Sequence, residues 1–136
     1  MAERMNEGSA LFAPDIVSIW IGIFADESAL RAYLEPVYTD DGDTRSDFRA
    51  DFDIDYDDDF AEADLSTNLV EQLPQHSYGS TIDAAALADI RRYPSANALL
   101  LLYNIDASAF QNHPGRMTLL GTYAYSPTTP DLSRYY

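Results

Sequence analysis

The sequence predicts an α+β domain: a mostly antiparallel sheet of three to five strands with two or three helices packed on it. Three observations predict it. Two long apolar runs, Ile16–Phe24 and Asn97–Tyr103, read as buried central strands. Helical spacings closed by caps and prolines lie between them. The resulting order, β-α-α-β-α-β-β, neither alternates strictly nor segregates strands from helices. The chain has 136 residues, is 46% apolar and holds no cysteine. That suits one domain with a self-sufficient core and no disulfide. The expected organisation is a flexible tail over 1–14, a single domain over 15–126 and a second tail over 127–136.

The elements follow in order. In the first strand Val17, Ile19, Ile21 and Ile23 share one face, and Ser18, Trp20 and Gly22 the other. Small neighbours thus flank one large ring, and Trp20 reads as core. Asp26 caps a helix over Glu27–Leu34 that buries Leu30, Tyr33 and Leu34, and Pro36 ends it. Asp40-Asp41-Gly42-Asp43 is a turn. Ser46 caps a short helix through Phe52, aligning Phe48 with Phe52. An irregular acidic segment comes next, then a strand near Phe60–Ser66. Leu69–Leu73 is a short turn or helix closed by Pro74. Ser80 or Thr81 caps a helix reaching Arg92, with Arg91 and Arg92 at its negative end. Asn97–Tyr103 is the second buried strand, residues 104–115 are a loop, and Arg116–Tyr125 is the last strand.

The formal charge is −15, and all eight basic residues are arginine. Such a surface repels phosphate backbones and anionic lipid, which argues against direct nucleic-acid or membrane partners. Without lysine there is no Schiff-base chemistry. The opening residues do not form a secretory signal, and no apolar stretch approaches the ~20 residues of a membrane helix. The expected location is the cytoplasm.

The charge is concentrated. Between Asp40 and Leu65 stand twelve acids and two arginines, so −10 of the −15 lies in one segment. Its aromatic and aliphatic residues Phe52, Ile54, Tyr56 and Phe60 alternate with carboxylates, which fits a segment anchored to a core. Three readings are open. A solvated acidic face for solubility is the plainest. A calcium loop starting at Asp51 would use Asp51, Asp53, Asp55, Asp57, Asp59 and Glu62, but Tyr56 stands where the turn needs glycine. This leaves a cation-binding or protein-interaction module as the alternative function. A pair of carboxylates could also serve acid–base hydrolysis, though nothing singles out two of them. No phosphate-binding glycine loop and no nucleophile elbow exists. His76 and His113 adjoin proline turns and read as hydrogen-bonding or surface residues. No catalytic residue, metal ligand or cofactor is assigned.

VSIWIGIF at 17–24, DFDIDYDDDFAEADL at 51–65, LPQHSY at 73–78 and NALLLLY at 97–103 together resemble the immunity protein 22 family. The resemblance covers roughly Ile16 to Tyr125. It implies a non-enzymatic bacterial protein that binds and neutralises a toxin domain encoded beside it. Many such toxins are nucleases with basic clefts, so the expected partner is a basic toxin domain. The acids Asp51, Asp53, Asp55, Asp57, Asp58, Asp59, Glu62 and Asp64 are the expected contacts. Tyr38, Tyr56 and Tyr78 are the expected aromatic anchors, and Phe48 and Phe60 read as core rather than contact. The toxin's identity, the inhibition mode and the oligomeric state stay open.

Overall fold

A computed structural model describes residues 12–35, 37–38, 44–52, 54, 61–76, 81–111 and 115–126. The first strand, β1 (Phe12–Gly22), is apolar on both sides because both sides are covered. Val17, Ile19 and Ile21 enter one core, and Trp20 enters another. The partition follows the two-residue period of a strand.

The other elements are α1 (Glu27–Leu34), the two-residue strands β2 (Val37–Tyr38) and β3 (Thr44–Arg45), and α2 (Asp47–Phe52). Next come β4 (Ala61–Leu65), α3 (Leu69–Gln72), α4 (Ala85–Ile90), β5 (Ala98–Ile105) and β6 (Thr118–Ala124). Single 3-10 turns cover Leu73–Gln75 and Ser108–Phe110. The main sheet is antiparallel and ordered β4-β5-β1-β6, and a separate two-stranded pair joins β2 to β3 among the described residues. Helices cover both faces. Leu69, Leu73, Ile82, Ala86 and Ile90 close the face of Ile19 and Leu101. Leu30, Tyr33, Phe48, Phe52 and Ile54 close the face of Trp20 and Leu100. Antiparallel sheets often leave one face wet, and the double cover explains why β1 and β5 lack alternation.

The core around Trp20 is aromatic. Its ring meets Phe48 and Phe52 edge-on, with centroids 5.1 and 5.7 Å away. Such pairs add about 0.5–1.5 kcal/mol each beyond the area they bury. Ser18, the buried polar residue of this inner strand, has its hydroxyl engaged both as donor and as acceptor. Its hydroxyl donates to the Ile105 carbonyl at 2.7 Å and accepts from the Ala107 N–H at 2.9 Å.

The caps at Asp26 and Ser46 form as the sequence predicts, accepting from the Ala29 and Arg49 N–H groups. Several boundaries differ. The strand β1 starts at Phe12 and stops at Gly22, so Ile23 is 61% exposed rather than aligned with Val17. The cause is Asn97, whose side-chain amide takes both main-chain groups of Phe24 at 2.9 and 2.8 Å. The strand bends near its start, where Asp15 and Asn104 take left-handed backbone angles and the register shifts. The expected helix to Arg92 is only Ala85–Ile90. Thr81 Oγ1 is engaged with both main-chain groups of Ser126, and Asp83 accepts from Ala85 N–H, so the helix begins only at Ala85. The β2–β3 pair flanks the expected turn at Asp40–Asp43, which lies outside the described residues.

Candidate functional site

The acidic run Asp51–Asp64, the larger part of the acidic segment, starts in α2 and ends in β4, and both ends are fixed by packing. At the first end Phe48, Phe52 and Ile54 are almost wholly buried. They sit one helical turn apart in α2 and two residues beyond it, so one stripe pins the segment to the Trp20 core. Gly115 approaches so closely that a methyl group there would stand 2.8 Å from the Phe52 ring. At the second end β4 pairs with β5, with Glu62 opposite Leu101 and Asp64 opposite Leu99.

Asp51 lies on α2 and is held from two directions. Tyr33 Oη donates to its Oδ2 at 2.6 Å, and the Arg116 N–H donates to the same oxygen at 2.9 Å. Burial chiefly, and then the Asp51 carboxylate, hold the Tyr33 hydroxyl well above the ordinary tyrosine range. The Arg116 guanidinium lies over the Phe24 ring at 4.4 Å.

Glu62 and Asp64 project from one face of β4, two residues apart. The structure brings these two together with residues from three other elements. Tyr103 Oη donates to Glu62 Oε1 at 3.1 Å, and His76 Nδ1 stands 3.0 Å from the same oxygen. Gln72 Nε2 donates to Asp64 Oδ2, which lies 3.9 Å from His76 Nε2. The His76 side chain is only 8% exposed. His76 is therefore a hydrogen-bonding residue of a turn, as its sequence context predicts. The network joins β4, α3, β5 and the turn after α3.

Of the expected contacts, Asp51 thus sits at the α2 end, and Glu62 and Asp64 sit side by side at the β4 end. Tyr38 lies in β2 opposite Thr44. Asp53, Asp55, Tyr56, Asp57, Asp58, Asp59 and Tyr78 lie outside the described residues, as does Phe60. Sequence reasoning missed the groove that runs between α1 and β4. It measures about 390 Å³, and Leu30, Leu34, Ala61 and Ala63 contribute to its walls. The available signal was weak: Ala-Glu-Ala-Asp-Leu alternates small or apolar with acidic residues, as an edge strand does. A second groove, of about 420 Å³, lies at the far end of β1 between Ile23, Tyr93, Arg92 and Arg116.

Among the described residues no helix is long and apolar enough to cross a membrane. The architecture defines an α+β domain whose four-stranded antiparallel sheet is covered on both faces. A family model described as immunity protein 22 matches residues 17–126, and the chain belongs to that family. Membership supports an immunity role, that is, the neutralisation of a toxin. No curated protein and no solved structure matches the chain.

Proposed function

We propose that the chain neutralises a nuclease toxin by presenting its acidic segment to the toxin's basic substrate cleft, as a stoichiometric inhibitor acting in the cytoplasm. The observation that carries this reading is the tethering of the run Asp51–Asp64, with a formal charge of −8, between a buried aromatic stripe and a sheet strand. Like charges gathered in one segment repel one another, and a cationic partner relieves that repulsion. In extended chain, alternate carboxylates stand about 6.6 Å apart on one side, a spacing suited to a line of arginine and lysine. Such a row competes with a phosphate backbone for the same groove. Opposed charge also speeds encounter toward ~10⁸–10⁹ M⁻¹s⁻¹ at low salt, which matters when a toxin must be caught before it acts. Charge sets rate and choice of partner, and aromatic anchors such as Tyr38, Tyr56 and Tyr78 supply affinity.

The test is co-purification with the toxin domain encoded beside this protein, followed by a nuclease assay of the complex. A one-to-one complex with suppressed nuclease activity is the expected result. A toxin without nuclease activity, or a complex that still cleaves nucleic acid, would contradict the proposal.

A further inference from the structure

The sheet has two edges, and they are finished differently. On β6, the Asp83 N–H donates to the Ala124 carbonyl at 2.9 Å and Gln111 Nε2 donates to the Leu119 carbonyl at 3.3 Å. On β4, the phase of the ladder decides which main-chain groups point outward. The Ser66 N–H donates to the Asn97 carbonyl at 2.8 Å, so Ser66 faces β5. By alternation Asp64 and Glu62 also face β5, and Leu65, Ala63 and Ala61 turn their N–H and C=O groups away from it. The Leu65 N–H confirms the phase, because it donates instead to Asp64 Oδ1 at 3.0 Å. Among the described residues no strand pairs with this outer edge.

The edge opens on the groove beside α1. Four consecutive β4 residues, Ala61 to Asp64, line that groove. Successive side chains point to opposite faces, so only the edge of a strand can present four in a row. The α1 side supplies Leu30 and Leu34 as an apolar wall. The charged residues along the groove are Glu27, Glu35, Glu62 and Asp64 against one arginine, Arg31, which pairs with Glu27 at 3.3 Å; the groove is net acidic, with the Glu62 and Asp64 carboxylates turned toward Tyr103, His76 and Gln72 on the other face of β4. The occupant that fits is therefore extended, partly apolar and positively charged.

We propose that β4 takes up a basic β-strand of the toxin along its outer edge, extending the sheet from four strands to five. The incoming strand receives main-chain hydrogen bonds from Ala61 and Ala63, sets apolar side chains against Leu30 and Leu34, and brings arginine or lysine to the surrounding carboxylates. This rests on the toxin-binding reading above and gives it a second contact, a main-chain one at the β4 end of the acidic segment.

The experiment is amide hydrogen exchange, read residue by residue on the full chain, alone and with the toxin domain encoded beside it. In the free protein the amides of Ala61 and Ala63 exchange fast and those of Glu62 and Asp64 slowly. In the complex Ala61 and Ala63 become protected, and that pattern supports the added strand. A stable complex in which Ala61 and Ala63 still exchange fast overturns the added strand and leaves toxin binding standing. Absence of any complex overturns both. The companion variant is Ala63→Pro, which deletes an outward N–H and no ladder bond, a position where an edge strand tolerates proline. It should keep the wild-type melting curve while losing at least about tenfold in toxin affinity. Unchanged affinity in the folded variant contradicts the proposal.

Discussion

Tyr33 on α1 donates a 2.6 Å hydrogen bond to Asp51 on α2, joining the first helix to the start of the acidic segment. The bond is placed where the segment leaves the core, beside the buried Phe48 and Phe52. Removing the hydroxyl with Tyr33→Phe leaves Asp51 with one donor fewer in a half-buried position. The expected loss is about 1–2 kcal/mol in urea unfolding, with the m-value unchanged. A neutral substitution would mean that water replaces the phenol without cost.

Tyr33 and Tyr123 predict an alkaline limit to stability. Burial first, and then a bonded carboxylate, raises both hydroxyls well above the ordinary range; Tyr123 donates to Asp89 Oδ2 at 2.6 Å. An unfolded tyrosine ionises near pH 10, whereas these two stay protonated in the fold. The unfolded chain therefore holds fewer protons above that pH, and stability falls as pH rises, by up to about 1.4 kcal/mol per unit for each tyrosine. Urea midpoints at about pH 9 and pH 11 check the sign, and the Tyr33→Phe/Tyr123→Phe double variant should flatten the dependence.

Ser18 sits in the fully covered strand and serves two main-chain groups at once. Replacing it with alanine strands the Ile105 carbonyl and the Ala107 N–H in a buried place. The predicted cost is about 2–4 kcal/mol, read by chemical denaturation. Gly121→Ala acts nearby through shape. A methyl group there would stand 2.6 Å from Tyr123 Oη, so the ring must shift and its bond to Asp89 weakens. That variant should lose roughly 1–3 kcal/mol.

Much of the fold could be read from residue order. Trp20 between Ser18 and Gly22, the Asp26 and Ser46 caps, and the Phe48–Phe52 stripe each have a local cause, and each stands where its pattern predicts. The misplaced boundaries have distant causes. Asn97 ends β1 from seventy-three residues away, and Ser126 delays α4 by occupying Thr81 across a separation of forty-five. Side-chain spacing carries no trace of such partners. The candidate site divides in the same way. The charge of the acidic segment is plain in the sequence, whereas the Glu62–His76–Tyr103 network and the outward phase of Ala63 arise only from pairing in space.

Charge steering predicts a kinetic signature. The toxin association rate should fall steeply between about 50 and 500 mM salt, as the screening length shrinks below the dimensions of the acidic segment. The dissociation rate should change far less, because aromatic and main-chain contacts hold the complex. An association rate indifferent to salt would contradict steering.

The central claim is that the acids between α2 and β4 are the inhibitory surface. The most direct measurement is protection of cells producing the toxin domain encoded beside this protein, compared between the wild-type chain and Asp55→Asn/Asp57→Asn/Asp58→Asn/Asp59→Asn. The variant keeps the buried anchors Phe48, Phe52 and Ile54 and the ladder of β4. Loss of protection by a folded, normally abundant variant is the predicted result. Full protection would place the inhibitory surface elsewhere on the molecule.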